Sequence, residues 1–282
     1  MSDNEEYFHT ALLVVFLKEE YKCSCSICVW GNEKRMKRYP THYVELSKTP
    51  QNDPVKYTMP VVHPTGAVYS GIAEVDKTLG GLYTGKITAF IGKSRLLSPL
   101  LHRVCVNTFD MFHSPTIVLD AGNEVNPFVL ARVARLHMLS SQDVLQQVYL
   151  SRAYTVYQLT DLICYHVESL IKQVQPVTIV LTGLFSLLAD AGVSQSETHQ
   201  LLQIIMKQIK QITEEYQVAM ILIDRYGIKD NAAVVDAWVD TQVQVQDMKH
   251  CPRIIVNSKN QEVTVTSETF GQLCLQDFGM VI

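Results

Sequence analysis

The sequence predicts an α/β fold with a mostly parallel sheet flanked by helices, an antiparallel C-terminal extension and a small N-terminal β-rich extension. Three observations carry this. From Ser70 onward short apolar runs alternate with longer amphipathic ones, as in buried parallel strands joined by helical crossovers. Beyond Thr241 the pattern changes to apolar–polar alternation with a period of two. Before residue 68 the chain is β-like and interrupted by turn and linker signals, so it divides into an N-terminal extension and linker, 1–68, and a core, 69–282.

In the extension, Tyr21 to Trp30 alternates like a strand, Gly31-Asn32 supplies a turn signal, and Tyr39 to Leu46 reads as a second strand before the polar stretch Ser47 to Val55. In the core, Ile87 to Ile91, Thr116 to Asp120, Val148 to Leu150, Thr178 to Thr182 and Ala219 to Asp224 are short apolar runs, as strands buried on both faces should be. Helices are expected over Leu100 to Phe112, Pro127 to Met138, Val156 to Val174 and Glu197 to Tyr216. In the last, Leu201, Ile204, Ile205, Gln208, Ile209 and Ile212 fall at amphipathic spacing. The tail alternates over Thr241 to Gln246, Arg253 to Asn257 and Glu262 to Thr266, with a short further piece at Leu273 to Leu275.

A chain of 282 residues with 47% hydrophobic content is long enough to bury a large core. Its net charge of -4 supplies no bulk attraction to nucleic acid, so DNA contact would need a local patch or a partner. The seven cysteines are an odd number lying mostly in apolar stretches, which suits reduced thiols. The acidic start and the short apolar run Ala11 to Leu17 read as neither a secretion signal nor a membrane span.

Lys86 to Arg103 forms a strand, a tight turn and a helix where a nucleotide-binding domain keeps its phosphate loop. Such a loop needs a second glycine, a lysine for the phosphates and a Ser or Thr hydroxyl for Mg²⁺. Counting from Gly92, those slots hold Leu97, Ser98 and Pro99. Ser98 carries no positive charge, and Pro99 has neither hydroxyl nor backbone N–H. Lys93 lies five residues early.

The run Tyr69 to Thr88, with its glycines at 71, 80, 81 and 85, resembles the opening of the ATPase core of RecA/RadA-type recombinases and their paralogues. Val118-Leu119-Asp120 with Pro127 and Arg132, Leu150 to Tyr154, Thr178 to Leu188 in the Walker B region, Ala237-Trp238-Val239 and Asp277-Phe278-Gly279 follow in the corresponding order. The resemblance covers roughly residues 69 to 282 and implies a RecA-like core. It also implies that the catalytic glutamate slot holds Gly122, with Glu124 nearby, and that the metal-side aspartate slot holds Thr182, whose hydroxyl cannot hold Mg²⁺ as a carboxylate does. Asp224-Arg225 stands where an Asn-Gln pair is usual, the second DNA-binding loop reads as deleted, and the first, around Gly192 to His199, contains no Lys or Arg.

Other constellations are weaker. Cys23, Cys25 and Cys28 with His42 offer thiolate and imidazole, but at a spacing unlike paired zinc knuckles, and no metal or other cofactor is expected. Phe8-His9-Thr10-Ala11 resembles the Phe-x-x-Ala plug that links recombinase protomers, in which Phe8 and Ala11 would fill two apolar pockets. Lys34, Arg35, Lys37 and Arg38 form a basic turn that reads as a phosphate-contacting tip, a nuclear localisation signal or an exposed hairpin loop. Trp238 reads as core.

The function expected from these residues is that of a non-catalytic recombinase paralogue, nuclear if eukaryotic and otherwise cytoplasmic. It would pair with another paralogue and with the recombinase filament, and contact DNA weakly or through the complex. Two alternatives stay open: an atypical ATPase of the RadA-paralogue or KaiC-like kind using Lys93 and Glu124, and a DNA-binding accessory protein using the turn at 34–38.

Overall fold

Six parallel strands form the centre of a ten-stranded sheet in the computed structural model, which describes residues 13–16, 44–45, 66–94, 97–190, 192, 194–225, 237–247, 252–258 and 261–266. The strands are β1 (Leu13–Phe16), β2 (Val44–Glu45), β3 (Ala67–Val68), β4 (Leu82–Tyr83), β5 (Ile87–Ile91), β6 (Thr116–Asp120), β7 (Val148–Arg152), β8 (Thr178–Thr182), β9 (Ala219–Asp224), β10 (Thr241–Asp247), β11 (Pro252–Ser258) and β12 (Gln261–Thr266). Their order in the large sheet is β12-β11-β10-β5-β9-β8-β6-β7-β1-β2, and β3 with β4 makes a separate small sheet. Pairing is parallel from β10 to β7 and antiparallel outside that block.

Strands β5, β6, β8 and β9 are buried throughout, and their alternate residues feed two cores. Val118 and Val180 join one cluster with Leu100, Leu101, Val104 and Leu130. Ile117, Leu119, Ile179 and Leu181 join the other, with Leu159, Ile163, Leu202, Ile205 and Ile209. The period of two puts successive side chains on opposite faces, so helices must cover both. One face is covered by α2 (Leu97–Phe112), α3 (Pro127–Leu136) and α4 (Ser141–Gln146), the other by α5 (Val156–Asp161), α6 (Val167–Val174), α7 (Leu184–Asp190) and α8 (Gln195–Tyr216), while α1 (Ala73–Leu79) precedes β4. Trp238 is half-buried against the second cluster, as expected.

The ends of the helices show what the sequence pattern leaves open. α3 stops at Leu136, not Met138, because Met138 takes a left-handed φ of 58°. The Leu139 N–H then bonds the Ala134 carbonyl and the Met138 N–H bonds that of Arg135, a Schellman closure. The single helix expected over Val156 to Val174 holds a π-turn at Leu162–His166, across which His166 Nε2 lies 3.3 Å from Asp161 Oδ2. α8 begins at Gln195 because Ser194 caps it, accepting from the Glu197 N–H at 3.2 Å. Most of the loop expected around Gly192 to His199 is therefore the first turn of a helix. In the tail, β10 runs parallel to β5, pairing Thr241 with Thr88, and the antiparallel arrangement begins with β11. Of the strands expected in the extension only Val44–Glu45 lies within the described residues, and Leu273 to Leu275 lies outside them.

Candidate functional site

The carboxyl ends of β5, β9, β8 and β6 lie side by side, the place where open α/β sheets bind ligands. β5 ends in a turn at Gly92, where a Cβ would stand 1.9 Å from the Val245 carbonyl oxygen, so the passing backbone of β10 leaves room only for glycine. The Gly92 N–H donates to the Asp224 carbonyl at 3.1 Å, which ties the turn to β9. Lys93 follows and is exposed. Ser98 and Pro99 belong to the first turn of α2, which starts three residues before the expected Leu100. A proline is tolerated there because the first N–H groups of a helix have no partner within it.

His102, one turn further along, couples this helix to the loop after β6. Its Nε2 accepts from the Asn126 N–H at 3.0 Å, which leaves the proton on Nδ1 to be donated to the Ser98 carbonyl at 3.1 Å. The side chain is buried, and burial holds its pKa below the ordinary histidine value.

At the end of β8, the Thr182 hydroxyl points into the protein. It donates to Asp120 Oδ1 at 2.7 Å, and the Gly122 N–H approaches the same hydroxyl oxygen at 3.4 Å. Asp120 is 1% exposed and takes two further bonds, from the Glu124 N–H at 2.8 Å and the Val125 N–H at 3.2 Å. Arg152 Nε stands 3.4 Å from Asp120 Oδ2, an ion-pair distance without a hydrogen bond through that nitrogen, while its Nη2 donates to the Val125 carbonyl. The backbones of Gly122 and Gly183 pass so closely that a Cβ on Gly183, at φ 71°, would meet the Gly122 N at 2.4 Å.

Asp224, at the end of β9, is also occupied internally. Oδ2 accepts from the Phe185 N–H at 2.6 Å and the Ser186 N–H at 3.2 Å, and Oδ1 from the Ser186 hydroxyl at 2.8 Å. A carboxylate thereby holds the start of α7, a helix end that prefers negative charge. Arg225 turns outward and donates to Glu124 Oε2 at 2.8 Å. Burial raises the Glu124 pKa; Arg225 opposes this, and Asp120 and Asp224 add to it.

The structure thus gathers Gly92, Thr182, Gly122, Glu124, Asp224 and Arg225 at one sheet end, with Ser98 and Pro99 on the adjoining helix. Ser98, in α2, and Thr182, bonded to Asp120, stand where the resemblance implies the ammonium and the metal-side carboxylate that a magnesium–nucleotide requires. The sequence reading overlooked Asp120, Arg152 and His102 as site residues; its usable signal was a single charged residue closing an otherwise apolar strand, Thr116 to Asp120. Phe8, Ala11, the turn Lys34, Arg35, Lys37 and Arg38, and Cys23, Cys25, Cys28 and His42 lie outside the described residues. Among the described residues no cluster of His, Cys, Asp or Glu is arranged to hold a metal ion, and no helix is long and apolar enough to cross a membrane.

Comparison with known proteins bears on this arrangement. No curated protein matches the sequence at a significant level. The Rad51 family model matches residues 65–250, a span that runs from just before β3 past β10 and includes every residue of the sheet-end site described above. A RecA-like core with a mostly parallel sheet flanked by helices agrees with that match, and the chain belongs to the Rad51 family of recombination and DNA-repair proteins.

Proposed function

We propose that the chain is a non-catalytic recombinase paralogue. In this reading it is a structural or regulatory subunit that pairs with another paralogue and binds or remodels recombinase filaments in homologous-recombination repair, in the nucleus if the cell is eukaryotic and otherwise in the cytoplasm. The observation that carries the reading is the bond from the Thr182 hydroxyl to Asp120. At the position that would hold the metal-side acid, the side chain is a donor spent on a neighbouring carboxylate. Asp224 and Glu124 are likewise engaged, with the start of α7 and with Arg225. Phosphoryl transfer depends on positioned cations around the phosphates, and these slots supply none. A subunit of this kind acts by binding one filament state better than another, which shifts populations without hydrolysis.

The test is ATP hydrolysis by the purified chain, with equilibrium nucleotide binding in the presence and absence of Mg²⁺, alongside identification of the proteins that co-purify from its own cells. The expected result is no hydrolysis above background, no Mg²⁺-dependent binding, and a recombinase or paralogue in the preparation. Hydrolysis that disappears in Lys93→Ala would overturn the reading in favour of an atypical ATPase.

A further inference from the structure

α3 is anchored along its inner side and open on its outer one. At its start the Asn126 N–H donates to His102 Nε2 of α2 at 3.0 Å, and just past its end His137 Nδ1 stands 3.7 Å from Asp110 Oδ2 in the last turn of α2. α4 holds it as well, through the Ser141 hydroxyl, which donates to the Ala131 carbonyl at 2.9 Å. Leu130 and Ala134 are buried, and Val133 packs against the same cluster.

At about 100° per residue, Phe128, Arg132, Arg135 and Leu136 fall on the face opposite Leu130 and Ala134, a stripe two turns or about 12 Å long. The face that a helix turns to water is normally polar. Here Phe128 is 65% exposed, Leu136 55%, and Met138, just past the helix end, 96%. Met111, next to Asp110 in α2, adds a fourth exposed apolar side chain at that end. Between the apolar ends stand two guanidinium groups. α3 contains no acid, and among the described residues none pairs with Arg132 or Arg135.

Single exposed apolar residues are ordinary, but an aromatic ring, a leucine and methionines gathered around arginines have the composition of an interface core. The charge pattern says what fits on it. Each guanidinium presents a planar fork of donors that a carboxylate matches, and covering it is favourable only where the partner brings an acid. A nucleic acid would satisfy the arginines and leave the apolar side chains uncovered, and neither the net charge of -4 nor a lysine on α3 adds to its attraction.

We infer that the outer face of α3 is a docking site for an acidic amphipathic helix of a partner protein. The partner's apolar side chains cover Phe128 at one end and Leu136 with Met138 at the other, and two carboxylates between them pair with Arg132 and Arg135. Two turns of helix lie along two turns of helix, so apolar and acidic residues spaced three, four and seven apart meet the stripe. α2 and α4 hold α3 in place before the partner arrives, so little order is lost on this side. The surface serves whether or not the nucleotide site is catalytic.

The test places the photoreactive residue p-benzoylphenylalanine at position 128 or 136 of the full chain in its own cells. Position 204 is the control, because Ile204 is exposed on α8, across the sheet from α3. After irradiation the cross-linked segment is identified by mass spectrometry. The expected result is an adduct from 128 and 136, and none from 204, to a protein segment in which apolar residues and Asp or Glu recur at helical spacing. The double variant Arg132→Glu, Arg135→Glu is expected to lower the yield at least about tenfold, because like charges are then opposed, and Lys in place of the partner's two acids is expected to restore it. Arg132→Gln with Arg135→Gln lowers the yield less and keeps the test open if the Glu variant unfolds; thermal unfolding checks both. No adduct, an adduct to nucleic acid, to a second copy of this chain or to a segment without acids, or an undiminished yield from a folded variant overturns the inference. An adduct to a protein outside recombination counts against the function proposed above and not against this surface.

Discussion

Two carboxylates at opposite ends of the parallel sheet, Asp120 buried and Asp240 half-buried, are held in different ways. Asp120, at the carboxyl end of β6, is surrounded by a threonine hydroxyl, two backbone N–H groups and Arg152. Asp240, at the amino end of β5, accepts from the Ile87 N–H at 3.0 Å and faces Lys210 at 3.2 Å and Lys86 at 3.5 Å. The Asp240 site is a half-open ion-pair cluster that salt can screen. The Asp120 site is closed, with short bonds in a region of low dielectric, where an unmatched charge is expensive. The carboxylate at the end where open α/β sheets bind ligands is thus the one held entirely by internal partners.

Substitutions around Asp120 should have the largest effects. Thr182→Asp, which writes an acid into the Walker B slot, would set a second carboxylate against Asp120 and is expected to lose about 3 kcal/mol or more at pH 8. Denaturant unfolding at pH 8 measures it. A variant as stable as the parent that gained Mg²⁺-dependent nucleotide binding would break the comparison. Thr182→Val keeps the shape and removes the hydroxyl, both as donor to Asp120 and as acceptor from the Gly122 N–H, so about 1–3 kcal/mol is expected from the same measurement.

His102 sharpens the comparison through pH. Burial lowers its folded-state pKa below the ordinary 6.5, so the unfolded chain binds the proton more readily. Its contribution is complete above that value and declines as the pH falls from 6.5 towards the folded pKa. His102→Gln is expected to flatten this limb of the stability–pH profile; an unchanged limb would show that another group carries it.

At the open end, burial raises the Asp240 pKa, but the Ile87 N–H, Lys210 and Lys86 outweigh it, and the carboxyl titrates below the usual range. The stabilisation from this carboxylate is present above the unfolded value near 3.8 and is lost as pH falls through the folded one. Asp240→Asn is expected to lose about 1 kcal/mol, and less in high salt. The smallest effect is expected at the exposed pair Glu168–Lys172, where Glu168→Gln should change thermal stability by less than about 0.5 kcal/mol.

Much of the fold was legible because the central strands are buried on both faces and written as uninterrupted apolar runs. Ile87 to Ile91, Thr116 to Asp120, Thr178 to Thr182 and Ala219 to Asp224 match the observed strands at both ends. Three short helices were missed, α1, α4 and α7, because each is too brief to show a hydrophobic period. Two are set by side-chain bonds: Ser140 accepts from the Asp143 N–H at α4, and Asp224 holds the start of α7 from 38 residues away or more. In the site, the occupants of the slots could be read from Gly92, Ser98, Pro99 and Thr182. What those residues do there could not.

The sequence by itself determined the alternation of buried strands and amphipathic helices, the family-like order of its motifs, and the absence of lysine and acid from two slots, because each depends on residue type and spacing along the chain. Tertiary structure decided that Thr182 turns its hydroxyl onto Asp120, that Arg225 reaches across to Glu124, that β10 joins β5 in parallel, and that Leu13–Phe16 closes the edge of β7. These are contacts between residues tens to more than a hundred positions apart. Hydrogen-bond direction and strand register exist only once the sheet has brought both partners within about 3 Å for a side-chain bond and about 5 Å for a strand pair.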